Sequence, residues 1–531
     1  MVRQPPGVRM SVLATQGISR RTMLGALGLG ASSLALAGCR SALHEASGKG
    51  TGKGGPAAGG ILRIAQSSDI QPATVFGHNN PNMTICRTVF NTLIEYDHKT
   101  LQPLPGLAQS WELKGDTLTF RLRPGVTYHS GRPFDARDVV FAITNLHKDN
   151  VSSQLKHVAK AIADIDSDGL DVRLKLARPM SNVFDLFEIL VIPDRESIAE
   201  LAKGSRIIGT GPFRVASYSP GAGLKLRRNE KYFKPSRPYL DGVDITIVSQ
   251  SQSMLSSMRS GQTHLVLDIA PLDAVGITND RRFKVVAADP YDSAYYVASN
   301  VSVKPLDDKR VRQAIAWGID RQRILDQVLG GIGTTSSLPW SPTSPAYDAA
   351  KARHYTYNPD RAKELIREAG ARGARLDIVY NAGLGANARI AEIVQYNLSQ
   401  AGIDARAVPL QAADFQGRLT GGKLPGLFVN GHGFGQLAPA TLVKGAFPFN
   451  ADKNASNFVS PEYQSIANAL WSAADPAATK AASDRVNDFL LDQQFVTDLV
   501  TSAHTFTVTK RLRGLAYSMF DYLNLDDAYL D

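Results

Sequence analysis

The segment from Arg375 to Leu410 constrains the fold most, because it has the pattern of a strand, a helix and a second strand. "RLDIVY" (375–380) and "IDARAVPL" (403–410) are short runs with strand-like composition. Between them "ARIAEIVQYNLSQAG" (388–402) carries apolar residues at helical spacing and ends at a glycine. A helix between two strands provides the long crossover that a parallel pair requires. The segment therefore predicts an α/β architecture with a parallel sheet.

The rest of the chain supplies further helix and hairpin signals. Asp307 and Asp320 are each followed by apolar residues at helical spacing, so we expect them to cap successive helical segments. Three segments alternate apolar and polar residues around a glycine-containing turn, which is typical of antiparallel hairpins: residues 111–126, 164–176 and 213–228. We expect a strand-rich middle region and a helix-rich region after about residue 303.

The stretch "SRRTMLGALGLGASSLALAGC", Ser19 to Cys39, joins two arginines to an apolar run. Only 17 uncharged residues separate Arg21 from Cys39, fewer than the about 20 that cross a bilayer. A basic start, an apolar middle and a small-residue end are the parts of a secretory signal peptide. Arg20 and Arg21 resemble a twin-arginine export motif, and general secretion stays open as the route. A buried helix of the folded domain is the alternative interpretation.

The end of that stretch, "LAGC", resembles the bacterial lipobox, in which the cysteine is acylated and becomes the first residue of the mature protein. We therefore predict that residues 1–38 are a signal peptide and that Cys39 anchors the protein to the outer face of a membrane. Residues 39–60 are rich in glycine and have the composition of a flexible tether. The folded body then begins near Ile61, with extracytoplasmic localisation.

The charge of the body argues against nucleic-acid binding. The whole chain carries a net charge of +10, but seven basic residues and one acidic residue precede Ile61, so the body holds only +4. No basic stripe with interleaved aromatic residues remains. We expect no nucleic-acid partner.

The titratable residues show no catalytic or metal-binding pattern. No two of the ten histidines have His-x-x-x-His spacing, and no Gly-x-Ser-x-Gly motif occurs. Cys86 could be a nucleophile but fits a small buried residue better, and His129 fits a turn or packing role. His78, His98 and His432 are too far apart in sequence to support a metal site. We expect no enzyme activity, cofactor or metal, with a secreted hydrolase as the rival interpretation.

Five segments of the body resemble, in order, the extracytoplasmic solute-binding proteins of ABC transporters of the peptide and nickel class, bacterial family 5. They are "GLAQSWELKGDTLTFRLRPGVTYHSGRPFDARDVVFAI", "GTGPFRVASYSPGAGLKLRRNEKYF", "LDGVDITIVSQSQSMLSSMRSGQTHLV", "PLDDKRVRQAIAWGIDRQRIL" and "YNPDRAKELIREAG". The resemblance implies a two-lobed periplasmic-binding-protein-like fold with an extra domain inserted in the first lobe. The implied boundaries are residues 61–97, 205–302 and 510–531 for lobe one, 98–204 for the inserted domain and 303–509 for lobe two.

The resemblance also implies a function: capture of a small solute between the lobes and its delivery to an ABC permease with its ATPase, by a monomer. The solute would be a peptide or peptide-like, with an oligosaccharide, an opine or a metal complex as alternatives. Peptide-binding members pair the ligand's ammonium group with an acidic residue in the stretch that corresponds to "LFVNGHGFGQLAPATLV". That stretch has Ala438 before Pro439 and no carboxylate. Arg389 lies beyond the loop in which some dipeptide binders carry an arginine for the ligand carboxylate.

The candidate ligand-binding residues follow predicted strands, where an α/β receptor presents polar groups to a ligand. His432 and Phe434 are the sharpest choices, for a hydrogen bond and for stacking. Alternatives remain for some of the residues, since Asp69 could cap a turn and Tyr296 could belong to the core. The full predicted set is Ser67, Ser68, Asp69, Tyr296, Asn300, Tyr380, Asn381, His432 and Phe434.

The export prediction is tested by Cys39→Ser in the producing bacterium. We expect the wild-type protein to fractionate with membranes and to carry a lipidated N-terminal Cys39 in mass spectrometry, and the variant to lose the lipid. Cys86→Ser is the matched control and should keep the lipid. A wild-type protein that retains Met1 would show that the segment is not a cleaved signal.

Overall fold

Strands and helices alternate through the described part of the chain. The structure, a computed structural model, describes residues 56, 58–77, 82–97, 100, 102–151, 153–267, 269, 271–277, 279–287, 293–473, 475–518 and 522–531. Its strands, β1 to β23 in chain order, are Ile61–Gln66, Ile94–Tyr96, Pro103–Pro105, Ala108–Lys114, Thr117–Leu122, Ile162–Asp168, Asp171–Leu176, Phe213–Ser219, Gly223–Arg228, Gly242–Ile247, Leu265–Val266, Phe283–Ala287, Ser293–Ser299, Thr334–Thr335, Arg375–Asn381, Asp404–Leu410, Leu427–His432, Val496–Ser502, Thr505–Thr509, Leu512–Arg513, Ala516–Tyr517, Leu523–Asn524 and Tyr529–Leu530. Its helices, α1 to α14, are Ala136–His147, Lys156–Lys160, Val183–Ile189, Ile198–Ala202, Ser251–Arg259, Pro271–Ile277, Lys309–Gly318, Arg321–Leu329, Pro359–Glu368, Gly385–Ala401, Ala412–Gly421, Pro439–Gly445, Pro461–Trp471 and Pro476–Gln493.

The first large sheet has seven strands in the order β12-β19-β11-β1-β10-β9-β8. Its central strand β1 pairs in parallel with β10 and β11, and β8 and β9 form an antiparallel hairpin at one edge. Leu62 and Ile64 are buried on one face of β1, whereas Ala65 joins a separate apolar cluster with Met254. Both faces are covered, as is typical of sheets that contain parallel strands.

The second large sheet has six strands in the order β14-β18-β13-β17-β15-β16. Strands β15 and β16 pair in parallel, with Arg375 opposite Asp404, and α10 connects them. This helix ends where Gly402 adopts a left-handed conformation (φ 92°), which a glycine adopts without steric strain. The strand, helix and strand predicted between Arg375 and Leu410 are present, and the predicted α/β class is confirmed.

A smaller four-stranded sheet, in the order β4-β5-β7-β6, lies between the first and later strands of the large sheet in sequence. It consists of the hairpins β4–β5 and β6–β7, whose turns contain Gly115 and Gly169 with positive φ. Helix α1 follows the first hairpin and begins at Asp135, whose side chain and that of Asp138 form a reciprocal capping box.

The sheets assign two strands differently from the predicted lobe boundaries. Strand β13 lies before the boundary predicted at 302/303 but belongs to the second sheet, and β19 lies before 509/510 but belongs to the first. The chain therefore crosses between the sheets after β12 and again after β18. The sequence of a strand does not indicate which sheet it joins. The boundary was therefore predicted where the helices begin, and not where the chain passes from one sheet to the other.

Aspartate side chains cap the first two helices after residue 303. Helix α7 is capped by Asp308, whose side chain accepts a hydrogen bond from the backbone N–H of Arg310, so the predicted cap at Asp307 was off by one residue. Helix α8 is capped by Asp320 as predicted. The predicted signal peptide, Arg20, Arg21 and Cys39 lie outside the described residues, as does most of the predicted tether.

Polar contacts join the region of the small sheet to the first large sheet. The His129 ring accepts a hydrogen bond from the Gly209 N–H at 3.3 Å and lies 3.0 Å from the Gly211 carbonyl oxygen. Burial lowers the pKa of His129 to about 4, so its ring is neutral at pH 7 and Nε2 donates to Gly211. The buried Arg87 donates to the carboxylate and the carbonyl oxygen of Glu188 in α3. His129 thus has the packing role that its sequence context predicts.

Gly209→Ala tests how tightly this junction is packed. A Cβ atom at position 209 would lie 2.0 Å from the carbonyl oxygen of Val89, a backbone atom that cannot rotate away. We expect the substitution to lower the free energy of unfolding by about 2 to 3 kcal/mol, measured by urea denaturation. Gly276→Ala in α6 is the control, because its Cβ would meet no atom within 4 Å. Equal stability of the two variants would contradict the close approach.

Candidate functional site

At one end of the second sheet, the ends of several strands lie close to the first sheet. The chain leaves β18 at Ser502 and enters β19 at Thr505, so these strand ends lie at most about 11 Å apart. Ser293, the first residue of β13, pairs with Ser502, and Ala294 pairs with His432 at the end of β17. Because β15 runs parallel to β17, it ends at the same edge. We call this set of strand ends, at Ser293, Asn381, His432 and Ser502, the cleft edge.

An aromatic cluster lies beside the cleft edge on one face of the sheet. The ring centroids of Tyr296 and His432 are 5.9 Å apart, and that of Phe449 lies 5.3 Å from His432 and 6.3 Å from Tyr296. Phe428 packs edge-on against Tyr296 at 6.3 Å. The structure therefore brings together two of the predicted residues, Tyr296 and His432. Tyr296 is also buried, as its core alternative supposed, and burial raises the pKa of its hydroxyl.

The imidazole of His432 is held in one protonation state. Burial lowers the pKa of His432 to about 3, so the ring is neutral at pH 7. Its Nδ1 accepts a hydrogen bond from the backbone N–H of Phe434 at 3.2 Å. A neutral ring whose Nδ1 is an acceptor carries its proton on Nε2. That Nε2 is buried and has no hydrogen-bond partner in the described part of the chain.

Phe434 lies two residues beyond His432 in a short helical turn, Phe434–Gln436, and is 6% exposed. The next residue, Gly435, accepts a hydrogen bond from the Ser341 N–H at 3.0 Å. A Cβ atom at Gly435 would lie 2.5 Å from the carbonyl oxygen of Pro339, so this glycine permits a close backbone approach. The two loops hold one another in place next to the aromatic cluster.

Asp69 and Asn300 are already engaged in hydrogen bonds within the protein. Asp69 accepts hydrogen bonds from the Tyr218 hydroxyl at 2.8 Å and from the Gly221 N–H at 2.7 Å, which fastens the loop after β1 to the β8–β9 hairpin. Asn300 donates to the Leu424 carbonyl oxygen at 2.7 Å, and its own oxygen accepts from Ser302. Both side chains therefore have a structural role, and their contact with a ligand stays a prediction.

The other predicted residues fall at two positions. Asn381 ends β15 at the cleft edge, and its side-chain oxygen accepts from the Gly383 N–H at 2.9 Å. Tyr380 pairs with Val429 and thus points to the sheet face opposite His432, where it packs against the apolar cluster covered by helices. Ser67 and Ser68 follow β1 directly, and Ser68 is exposed.

The sequence interpretation missed Trp340, Phe449 and Asp185. Trp340 is fully buried in a loop of serines and prolines and donates from Nε1 to Asn487 at 2.6 Å. A tryptophan in so polar a loop is the one signal that could have found it. Asp185 in α3 accepts hydrogen bonds from the backbone N–H of Ala438 at 3.1 Å and from the Thr441 hydroxyl. Nothing in the sequence near Asp185 connects it with residues more than 250 positions away.

A family comparison decides what kind of protein carries this site. The family described as "Bacterial extracellular solute-binding proteins, family 5 Middle" matches residues 102–448. The chain belongs to this family. Its members are solute-binding components of ABC transporters and are not enzymes, so the family resemblance predicted from the sequence is confirmed.

Individual family 5 relatives are similar to the chain at moderate identity. "Di/tripeptide-binding protein 1" of Pseudomonas aeruginosa is 28% identical over 384 residues, which cover 65% of this chain and 70% of that protein. "Heme-binding protein A" of Haemophilus influenzae is 28% identical over 370 residues, which cover 63% and 67%. The names of these two relatives assign different ligands to a similar fold.

Solved structures support the two-lobed fold. DppA of Helicobacter pylori in complex with the peptide STSA superposes with a TM-score of 0.77 at 20% identity, covering 89% of this chain and 98% of that one. AgaA from A. tumefaciens R10 in complex with agropinic acid superposes with a TM-score of 0.78 at 20% identity, covering 89% and 99%. The predicted periplasmic-binding-protein-like fold is confirmed.

The described residues include neither a metal-binding cluster nor a membrane-spanning helix. They contain no group of three or more His, Cys, Asp or Glu side chains placed to hold a metal ion, while His78 and His98 lie outside the described residues. No helix among the described residues is long and apolar enough to span a bilayer.

The protonation state of His432 can be measured directly by NMR. In protein labelled with ¹⁵N in its histidine rings, we expect the His432 ring, like that of His129, to have a protonated Nε2 and an unprotonated Nδ1 and not to titrate between pH 5 and 8. The physical reason is that burial lowers its pKa to about 3. His432→Gln assigns the signal by removing it. A His432 signal that titrates near pH 6.5 would show that the ring is solvated.

Proposed function

We propose that this protein is the lipid-anchored binding subunit of an ABC importer. It holds a small solute between its lobes and passes it to a membrane permease that an ATPase drives. Cys39 supplies the anchor, residues 39–60 supply the tether, and the protein works as a monomer. Family membership supports solute binding, and the lipobox-like "LAGC" supports the anchor.

One observation carries the placement of the ligand: an unpaired N–H of a neutral histidine lies at the cleft edge within an aromatic cluster. A buried donor without a partner costs about 1 to 3 kcal/mol. A ligand that accepts a hydrogen bond from His432 Nε2 removes that penalty. Such contacts exist only with ligand bound, so they favour the liganded closed state, as a binding protein requires.

The chemistry of the loop limits which functional groups the ligand can present to it. His432 donates a hydrogen bond and stays neutral, and residues 427–443 contain no acidic side chain to pair with an ammonium group. The ligand therefore presents a carbonyl, carboxylate or hydroxyl oxygen to this loop. A peptide or peptide-like solute meets this requirement through its backbone carbonyl groups, and the names of several relatives refer to peptides. An opine or an oligosaccharide, which also offers oxygen acceptors, is the second candidate because AgaA has the same fold.

Only some of the remaining predicted residues belong to the proposed site. Asn381 lies at the same edge as His432, and Phe434 lies in the loop that follows it. Ser67 and Ser68 follow the central strand of the first sheet and would contribute hydroxyl groups from the other lobe. Asn300 follows the end of β13 that is far from His432, and Tyr380 lies on the opposite sheet face, so neither lines the proposed site. Asp69 contributes by holding the loop after β1 in place.

The proposal is tested by native mass spectrometry of freshly purified protein, followed by a thermal-shift screen of peptides, opines, oligosaccharides and metal chelates. We expect a bound solute, stabilisation on adding it, and no substrate turnover. Turnover that a single side-chain substitution abolishes would favour a hydrolase instead.

The double variant His432→Ala, Phe434→Ala tests the site. Loss of the hydrogen bond and of the aromatic contact should weaken binding of the identified solute by roughly 2 to 4 kcal/mol, measured by calorimetry. Phe447→Ala is the control, because Phe447 is a 40% exposed aromatic residue of the same lobe. Unchanged affinity in a folded double variant would remove the loop from the site.

A further inference from the structure

Three polar residues at the start of α3 reach across to the second lobe. The backbone N–H of Ser181 donates a hydrogen bond to the carbonyl oxygen of Trp471 at 3.0 Å, and its hydroxyl donates to the carbonyl oxygen of Leu470 at 3.1 Å. Both acceptors lie in α13. Asn182 donates to the Thr441 hydroxyl at 2.9 Å. Asp185 accepts from the Ala438 N–H and from the Thr441 hydroxyl. We call Ser181, Asn182 and Asp185 the α3 clasp.

The α3 clasp supplies a hydrogen-bond acceptor for the start of α12, which has no side-chain cap of its own. Ala438 is the capping residue of this helix and has no side-chain oxygen, and no side chain within the helix terminus forms a cap hydrogen bond. An unpaired N–H at a buried helix start is unfavourable, so the carboxylate of Asp185 takes the place of a local cap. It comes from a region 253 residues earlier in the sequence.

The capped residue is four positions beyond Phe434, in the same loop as His432. Between them Leu437 is buried, and its N–H donates to the Phe434 carbonyl oxygen at 3.2 Å. The loop therefore has two fixed ends: β17, which ends at His432, and the helix start that Asp185 holds. Only three residues separate Ala438 from Phe434, so a shift of Ala438 also moves Phe434.

We propose that Asp185 is a positioning residue for the loop 430–437, so that docking of α3 on the second lobe sets the geometry of the ligand-binding loop. The ligand role of that loop rests on the proposed function, whereas the mechanical coupling of α3 to the loop does not. The inserted region is then part of the binding apparatus, although none of its residues needs to touch the ligand.

The protonation of Asp185 makes this coupling measurable. Asp185 is fully buried and accepts a third hydrogen bond from the Tyr96 hydroxyl at 2.8 Å, but no cation among the described residues pairs with it. Glu188, the other acid of α3, is paired with Arg87, but burial also raises its pKa, to about 7, and Lys444 of α12 is paired with Asp452. Burial therefore raises the pKa of Asp185 to about 6.

The sign of the pH effect follows from that shift. A docked carboxyl group with a raised pKa binds its proton more tightly than a solvated one, so docking is strongest below pH 4 and weakens as the pH rises through 6. Between about pH 4 and 6 the equilibrium constant for undocking rises by at most about tenfold per pH unit, and above pH 6 it no longer changes. An asparagine stays neutral: its oxygen can accept from Ala438 and Thr441 while its amide donates to the Tyr96 oxygen.

Hydrogen exchange followed by mass spectrometry on the full chain without ligand tests this coupling. In Asp185→Ala we expect at least tenfold faster exchange in two segments, 181–189 and 430–445, at pH 7, with the hairpin 213–228 unchanged as the internal reference. Thr441→Val, which removes the matching donor, should loosen the same two segments. Asp360→Asn, at a carboxylate that is 91% exposed, is the control and should change nothing.

The pH profile separates positioning from mere packing. After correction for intrinsic exchange, wild-type protection of 430–445 should fall between about pH 4 and 6, and Asp185→Asn should show a smaller fall over that range. Faster exchange confined to 181–189 in Asp185→Ala, or a wild-type profile that does not depend on pH, would overturn the proposal. If Asp185→Ala also exposes the reference hairpin, the comparison of wild type with Asp185→Asn decides. Since no ligand is used, a failed ligand screen would contradict the proposed function alone.

Discussion

The two short connections between the large sheets are the constraint on which the site depends. The chain passes from β12 to β13 and from β18 back to β19, so one edge of each sheet must lie near the other. The parallel pairing of β15 and β17 then brings their carboxyl ends to that same edge. Residues that are far apart in the chain thus meet at one end of the second sheet, close to the first sheet.

Desolvation determines the chemistry of the groups near this edge. His432 would titrate near neutral pH in water, but burial keeps it uncharged and its Nδ1 is already occupied by the Phe434 N–H. Only Nε2 remains, as a donor. Asp185 is buried with no cation paired to it among the described residues, and it holds its neighbours through three accepted hydrogen bonds. In both cases burial shifts the pKa of an ionisable side chain, downward for His432 and upward for Asp185, and packing fixes its hydrogen bonds.

Local patterns predicted the local structure well. Hairpins turn at the expected glycines, α1 begins at Asp135, and β15, α10 and β16 form the expected unit. These features depend on residues within about 30 positions of one another, so turn chemistry, caps and periodicity are sufficient. The lobe boundaries were less accurate, because β13 and β19 read as strands whichever sheet they join and their partners lie up to 240 residues away.

The sequence by itself determined the α/β class and the order of the elements, and it predicted a ligand role for the loop around His432. It also indicated that this loop lacks an acidic residue. Only the tertiary structure decided that Tyr380 points to the opposite face from His432, that Asp69 and Asn300 are engaged in structural hydrogen bonds, and that Asp185 caps a helix in the other lobe. Propensity and periodicity act over a few residues, whereas burial and hydrogen-bond partners arise from packing between distant segments. Those long-range contacts decide which polar atoms remain available to a ligand.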